Sequence, residues 1–513
     1  MKKLKSGVLF DSKQQNKYFY DRSRGTTMLC HPLLYYLLEK HNRGIDVPKW
    51  FEQAISGEAE PVFLDGYGSV SRQELDYYYR KFSVFRENGF FDEADLENLL
   101  SGRLKAEDIK IALANLKQVI LEVTDACNLE CAYCGYGKFY QDYDRRENKF
   151  MDPEAAKAMV DYILELADSP LNYSHQRGIS IGFYGGEPLL NFPFIKEMVD
   201  YVGHLKPRHN YFTFSMTTNG LLLERYMDFL VEHKFNLLVS LDGDEHSNSY
   251  RVCKDGSPAY PHIMRNARAL SEMYPDYFKK NVNFNAVFHN RNSVSTLHRF
   301  FKEEFDTTPG ISELNTSGIK DSMKEEFRRT YANVNESLHQ AEDYALIEKE
   351  MFIRLPNIRS VGTFIDQYSG FGYRDYNDLI STHEGMKRIP TSTCQPFSKK
   401  VFLTVNGKIL PCEQIGQQYG LGLVNEQGVK LDFEKIAALY NNYYDKLKKQ
   451  CTACAAAQMC LQCMFYLDIE ADNPHCAGLM VEKDISDFLS SQVSYLEEKP
   501  ETYTRIMKEV AFE

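Results

Sequence analysis

No uncharged apolar run approaches the ~18 residues that a membrane span needs, so no membrane passage is expected. The opening MKKLKSGVLFDSKQQ is basic but has no apolar stretch behind it, so no secretion signal is expected either, and the cytoplasm is the default location. A long basic tract is missing too. Lys and Arg number 60 against 72 Asp and Glu, for a net charge of −12, which argues against a nucleic-acid or anionic-membrane surface as the main partner. Internal repeats and low-complexity segments are also lacking. What is present is a folded composition, 43% hydrophobic and 26% charged, in a 513-residue chain too long for one core, so two to four domains are expected.

The twelve cysteines are grouped rather than scattered. Cys127, Cys131 and Cys134 fall within eight residues, and seven more (Cys394, Cys412, Cys451, Cys454, Cys460, Cys463 and Cys476) fall between positions 394 and 476. Cys30 and Cys253 stand apart, the first read as an apolar filler and the second as a thiol near the rim. In a chain without a secretion signal, such grouping reads as metal ligation rather than disulfides.

Residues 1–100 open with the aromatic strands GVLFD and KYFYD, followed by three helical patterns, which makes a small α+β module of winged-helix type. Residues 101–118 read as a helical linker. Over 119–318 strands and helices alternate. VILEVT, GISIGFY, YFTFSMT, NLLVSL, VNFNAVF and ISELNT are the strands, and Asp152-Pro153-Glu154 starts the first helix, with Ala156, Met159, Val160, Ile163 and Leu164 as its apolar face. Six such units predict a parallel sheet with helical crossovers, closed or incomplete as a barrel. Residues 319–393 read as a linker or lid, 394–480 as loop-rich, and 481–513 as a C-terminal helix packed on the barrel.

The segment TDACNLECAYCGYG directly follows the first strand of that series, at the rim where βα barrels build their sites. A [4Fe–4S] cube needs one outside ligand per iron. Three thiolates at C-x3-C-x2-C spacing can hold three corners and leave the fourth iron open to a small chelating ligand. Zinc fits less well, because a structural site wants four protein ligands and no fourth Cys or His is near.

This loop, with Tyr133 in the aromatic place of C-x3-C-x-aromatic-C, resembles the hallmark of the radical SAM (radical AdoMet) enzymes. The resemblance implies that the open iron anchors S-adenosyl-L-methionine, which is cleaved by one electron to a 5′-deoxyadenosyl radical that takes a hydrogen atom from substrate. Tyr184-Gly185-Gly186-Glu187-Pro188 is similar to the family's GGEP segment. There the glycines let the backbone approach the cofactor and the acid accepts from the AdoMet ammonium. Asn219, in the TTNG that ends the third strand, is expected to meet ribose hydroxyls. Ser240 and Arg251 match a serine and an arginine that face the ribose and the AdoMet carboxylate. His246, near Ser240, reads as structural.

The later cysteines run C-x12-G-x4-C, then C-x2-C-x5-C-x2-C, then Cys476, which resembles the SPASM domain of radical SAM enzymes that modify peptides and proteins. By that resemblance Cys451, Cys454, Cys460 and Cys476 hold one auxiliary iron–sulfur cluster. Cys394, Cys412 and Cys463 hold a second, whose remaining iron is open or closed by another group. The family's usual C-x3-C is one residue shorter here, between Cys460 and Cys463. A zinc ribbon is the competing reading of paired C-x2-C motifs, though five residues between pairs is short and three cysteines stay unexplained. Glu413 sits where some SPASM enzymes hold a proton-abstracting acid. It reads as a general base, or else as a solvated rim acid or a hydrogen-bond acceptor.

The N-terminal module resembles the peptide-recognition elements of enzymes that modify ribosomally made (RiPP) peptides, which take a leader as an added strand. The expected fold class is therefore α/β: a partial (βα)6 TIM-like radical SAM barrel, an N-terminal winged-helix-like module and a loop-rich C-terminal SPASM iron–sulfur domain. The expected function is a radical SAM peptide maturase, an oxidoreductase that installs a thioether or C–C crosslink in a leader-bearing precursor. Its expected electron donor is an external flavodoxin or ferredoxin type. Two alternatives stand beside it: a sulfatase-maturase-like enzyme oxidising a Cys or Ser of a protein, and a zinc-stabilised binding or scaffold protein.

Overall fold

The computed structural model describes residues 6–57, 61–93, 95–141, 144–316, 318–370, 387–457 and 460–510. β1 (Gly7–Asp11), β2 (Lys17–Asp21) and β3 (Thr26–Cys30) form an antiparallel meander in which β1 pairs Gly7 with Asp21 and β3 pairs Cys30 with Lys17. Helices Pro32–Asn42 and Val47–Ile55 follow, the second capped by Asp46, which accepts from the Lys49 N–H at 3.1 Å. A short hairpin, β4 (Val62–Leu64) and β5 (Gly68–Val70), precedes helix Arg72–Glu87. β3 and the hairpin add to the two strands expected from sequence. Phe19, Leu34, Leu37, Leu38, Phe82 and Phe91 make this module's core, and Cys30 is buried among them as a filler.

Helices Leu96–Leu99 and Ala106–Ala114 lead to β6 (Gln118–Thr124). Val119, Ile120, Leu121 and Val123 are all buried, as a strand covered on both faces requires. β7 (Gly178–Gly185), β8 (Tyr211–Thr218), β9 (Asn236–Ser240), β10 (Val282–Phe288) and β11 (Gly310–Glu313) follow in sequence order, and each pairs in parallel with the one before. The helix after β6, Pro153–Ala167, starts at the expected Asp152 cap. It buries Ala156, Met159, Val160, Ile163 and Ala167, so that Ala167 takes the core place expected of Leu164.

Beyond β6 the sheet continues into the cysteine-rich region. β12 (Lys400–Leu403) pairs in parallel with β6, and β13 (Lys408–Leu410), β14 (Gly422–Asn425) and β15 (Gly428–Leu431) extend it as an antiparallel meander. The result is one ten-stranded open sheet from β11 to β15. The region expected to be loop-rich thus carries four strands and the helix Phe433–Cys451, which places its last residue, Cys451, at a fixed point.

Residues expected to form a linker or lid contain four short helices, Lys324–Thr330, Val334–His339, Tyr344–Glu350 and Pro356–Gln367. Their Gly- and Tyr-rich end, 371–386, lies outside the described residues. The C-terminal segment corrects its expectation. It is two helices, Glu482–Glu498 and Glu501–Glu509, separated at Pro500, whose ring cannot continue a helix. The first packs on the N-terminal module rather than on the barrel: Ser494 Oγ accepts from the Lys13 N–H at 2.9 Å, and Tyr18 donates to Glu497 at 2.7 Å. Among the described residues no helix is long and apolar enough to cross a membrane.

Candidate functional site

The loop after β6 is held in place before any ligand is considered. Glu130 and Ala132 donate backbone hydrogen bonds to Val252 O (2.8 Å) and Tyr250 O (3.1 Å), and Leu129 bridges to Cys253, which puts that thiol beside the loop. Cys127, Cys131 and Cys134 then line one cavity of about 210 Å3, open to solvent. Burial pushes the Cys131 thiol up to about 12 and the Cys127 thiol also upward, so only a bound metal would displace these protons near neutrality. Arg146 Nη2 lies 3.5 Å from Cys134 Sγ.

Of the residues expected to bind AdoMet, Gly185, Gly186, Asn219, Ser240 and Arg251 line the same cavity. The two glycines have a more immediate task than cofactor approach. A Cβ on Gly185, whose φ is +130°, would fall 2.2 Å from Thr124 O, and one on Gly186 would fall 2.0 Å from Ala126 O. They let the end of β7 pack backbone-to-backbone on the root of the cysteine loop, where Gly186 N–H donates to Thr124 O and Glu187 N–H to Ala126 O.

Glu187 corrects its expectation. Its carboxylate is fully buried and accepts from the Asn219 N–H (2.7 Å), Thr218 Oγ1 (2.8 Å) and the Leu189 N–H (3.1 Å), so it ties the GGEP segment to the TTNG segment instead of facing the cavity. Burial pushes it up to about 7, against the pull of those donors. Pro188 is buried at the start of a short 3-10 turn and does not line the cavity either. Asn219 faces the cavity with its amide nitrogen on Asn128 at 2.7 Å.

Tyr133 and Arg251 meet at a residue that sequence reading passed over, Asp242 at the end of β9. Asp242 is fully buried. It accepts from Arg251 Nε (3.0 Å) and Nη2 (2.9 Å), from the Val287 N–H (2.9 Å) and from the Tyr133 hydroxyl. Burial favours its neutral form, but the Arg251 charge and the side-chain contacts with His289, Arg251 and Tyr133 outweigh that and hold it down at about 2. Arg251 therefore reaches the cavity with its guanidinium already engaged, and Tyr133 acts as an anchor of the cysteine loop rather than as a lining residue. Glu122 on β6 was likewise missed. It accepts from the Tyr136 hydroxyl and from the Val405 N–H (2.9 Å), joining the loop to the segment after β12. A lone acid in a strand carries no spacing signal, and only the fold shows what it meets.

Glu413 lines the same cavity as the cysteine loop. It is mostly buried and ion-paired to Lys400 at 2.9 Å, so it is a hydrogen-bond acceptor rather than a freely solvated rim acid. Its neighbour Cys412 is pushed up to about 12 by burial and by the Glu413 charge. The other cysteines separate into two groups in space. Cys454 and Cys460 both act on Cys451 and Cys476, while Cys394 acts on Cys412 and Cys463. Thr393 Oγ1 accepts from the Met464 N–H at 2.7 Å and so ties the segment of Cys394 to that of Cys463. Among the described residues no three His, Cys, Asp or Glu side chains crowd together as a single ion needs. Thiolates bound to different irons of one cube stand further apart than the ligands of one zinc.

Residues 121–301 match the model of the Radical SAM superfamily. Over 164 residues, 31% of this chain and 33% of the relative, the sequence is 28% identical to the radical SAM cyclopropyl synthase TigE of Paramaledivibacter caminithermalis. It is also 28% identical over 197 residues, 37% of this chain and 49% of the relative, to a cysteine-type anaerobic sulfatase-maturating enzyme of Clostridium perfringens. The chain thus spans less than half the length of these curated relatives. The solved structure of native anSMEcpe with bound AdoMet and Kp18Cys peptide shares the fold at a TM-score of 0.51 and 18% identity, covering 76% of this chain and 99% of that one. The stretch that carries the cysteine loop and the strand ends around it is a radical SAM domain, and the chain's relatives include radical SAM maturases.

Proposed function

We propose that this chain is a radical SAM peptide maturase whose barrel, auxiliary cysteines and N-terminal module act on one ribosomally made precursor. The observation that carries the reading is a single cavity lined by the three cysteines of one loop and by Glu413, the residue after Cys412. The residues present suit a [4Fe–4S] cluster: three cysteines of one loop line a solvent-connected space together with Ser240, Asn219 and Arg251, and supply three of the four ligands a cube needs. Cluster and AdoMet together, when bound, supply one-electron cleavage of a sulfonium and a carbon radical that takes hydrogen from substrate. Around them, the Asp242–Arg251 pair fixes the floor, Tyr133 pins the loop, and Glu413 stands ready to take a proton from the bound peptide with Lys400 to orient it.

In this reading the two later cysteine sets are SPASM-type auxiliary clusters that accept the leftover electron, the one on Cys394, Cys412 and Cys463 lying next to the base. The N-terminal sheet and helices, of winged-helix type, hold the leader. A flavodoxin- or ferredoxin-type donor supplies the electron that starts turnover. Overall the peptide loses two hydrogens and gains a thioether or C–C bond. The similarity to sulfatase-maturating enzymes favours a second reading, oxidation of a Cys or Ser in a protein without a leader.

Anaerobic incubation of the full chain with AdoMet, a reductant and the short peptide encoded beside its gene tests the proposal. The mass of that peptide should fall by two hydrogens, and the same core without its leader should react poorly. An unchanged mass contradicts the proposal, and equal reaction of the leaderless core moves the balance to the second reading.

A further inference from the structure

Arg22 follows β2 in the N-terminal module, yet it is buried to 3% exposure against the C-terminal cysteine region. Its Nη1 donates to Ala455 O at 2.7 Å, one residue beyond Cys454. Its Nε and Nη2 are buried and have no hydrogen-bond partner. A guanidinium stays charged, and burying its donors unpaired is costly, so an uncompensated arginine at such a place is rare. The groups whose ionised forms would favour its charge are Tyr20, Glu482, Cys454 and Tyr368, of which burial keeps the two tyrosines neutral. The Cys454 sulfur is itself fixed close by: it accepts from the Met480 N–H at 3.4 Å, while Met480 O accepts from the Ala455 N–H at 2.8 Å. Leu96, Leu99 and Leu100, from the connector after the module, pack against Cys451 and Cys454. The four-cysteine group is thus closed over from the N-terminal side, with one cation inserted.

Four thiolates on a [4Fe–4S] cube leave a net negative charge with sulfurs that accept hydrogen bonds, and both features set its potential. We propose that Arg22 is a positioning residue for the cluster on Cys451, Cys454, Cys460 and Cys476, donating from Nε and Nη2 to its sulfurs and tuning it from within the peptide-recognition module. The inference rests on the auxiliary-cluster reading above. It ties the module and this redox centre together through one side chain.

The test is a redox titration, followed by EPR, of the anaerobically reconstituted full chain and its R22Q variant. Wild-type protein should hold about twelve irons, three cubes of four. R22Q should keep its iron while one auxiliary cluster becomes harder to reduce by about tenfold in its equilibrium constant, or about 59 mV for a one-electron couple. The other two potentials should stay unchanged. R22K, which keeps the charge but not the fork, should shift the same cluster in the same direction by less, and is decisive alone if R22Q does not fold. Wild-type-like potentials at all three clusters overturn the inference. Wild-type protein holding only about four irons overturns the auxiliary-cluster reading itself.

Discussion

Asp242 gives the structure its most demanding test away from the cysteines. In D242N the amide keeps the volume and removes the charge, so Arg251, 7% exposed in its side chain, remains buried without its counter-ion. Breaking a buried pair from one side costs about 3–5 kcal/mol. For a cooperative unit the size of this barrel, where each kcal/mol moves Tm by about 2–4 °C, that is a fall of about 6–20 °C. Removing both charges in D242N/R251M should restore much of it, because no isolated cation is left behind. The pH dependence has a definite sign. With its folded pKa lowered to about 2, Asp242 contributes stability that is present above its unfolded value near ~4 and lost as pH falls toward 2. The gap between wild type and D242N should therefore be constant through the neutral range and shrink only in acid. Thermal unfolding followed by circular dichroism on the iron-free full chain reads all of this. A D242N protein melting within a degree or two of wild type would refute the reasoning.

Two further predictions separate packing from chemistry. Gly186→Ala should strongly destabilise the root of the cysteine loop, since the new Cβ meets a backbone oxygen at 2.0 Å, whereas Gly203→Ala, in helix Phe192–His204 with nothing within 4 Å, should be neutral or gain up to about 1 kcal/mol. Equal melting temperatures for the two would contradict the close approach. In Glu413→Gln, release of 5′-deoxyadenosine should persist while modified peptide falls by about 100-fold or more, the usual size of a general-base contribution. Undiminished product would reduce Glu413 to a partner of Lys400.

The strand–helix alternation and the three-thiol loop were legible because they follow local rules: buried β-branched runs, the Asp152-Pro153 start and C-x3-C-x2-C spacing. β12 to β15 were not, since strands of three or four residues among turns leave no periodicity to read, and their pairing with β6 is a long-range event. Helix Phe433–Cys451 was readable and passed over; Asp432 caps it, and Ile436, Tyr440, Tyr443, Tyr444 and Leu447 repeat at helical spacing. Several motif residues named from sequence line the cavity, but which way each side chain points was not legible. Glu187 turns inward because backbone donors of the next strand end converge on it. Asp242 and Arg22 could be recognised only once the fold had buried them beside their partners.

The central claim is that the loop of Cys127, Cys131 and Cys134 holds a cluster with one iron free for AdoMet. EPR of the reduced, anaerobic full chain with and without AdoMet addresses it directly. AdoMet should change the spectrum of one cluster and yield 5′-deoxyadenosine in wild type, with both effects absent in C131S while the auxiliary signals remain. A wild-type spectrum indifferent to AdoMet would contradict the account.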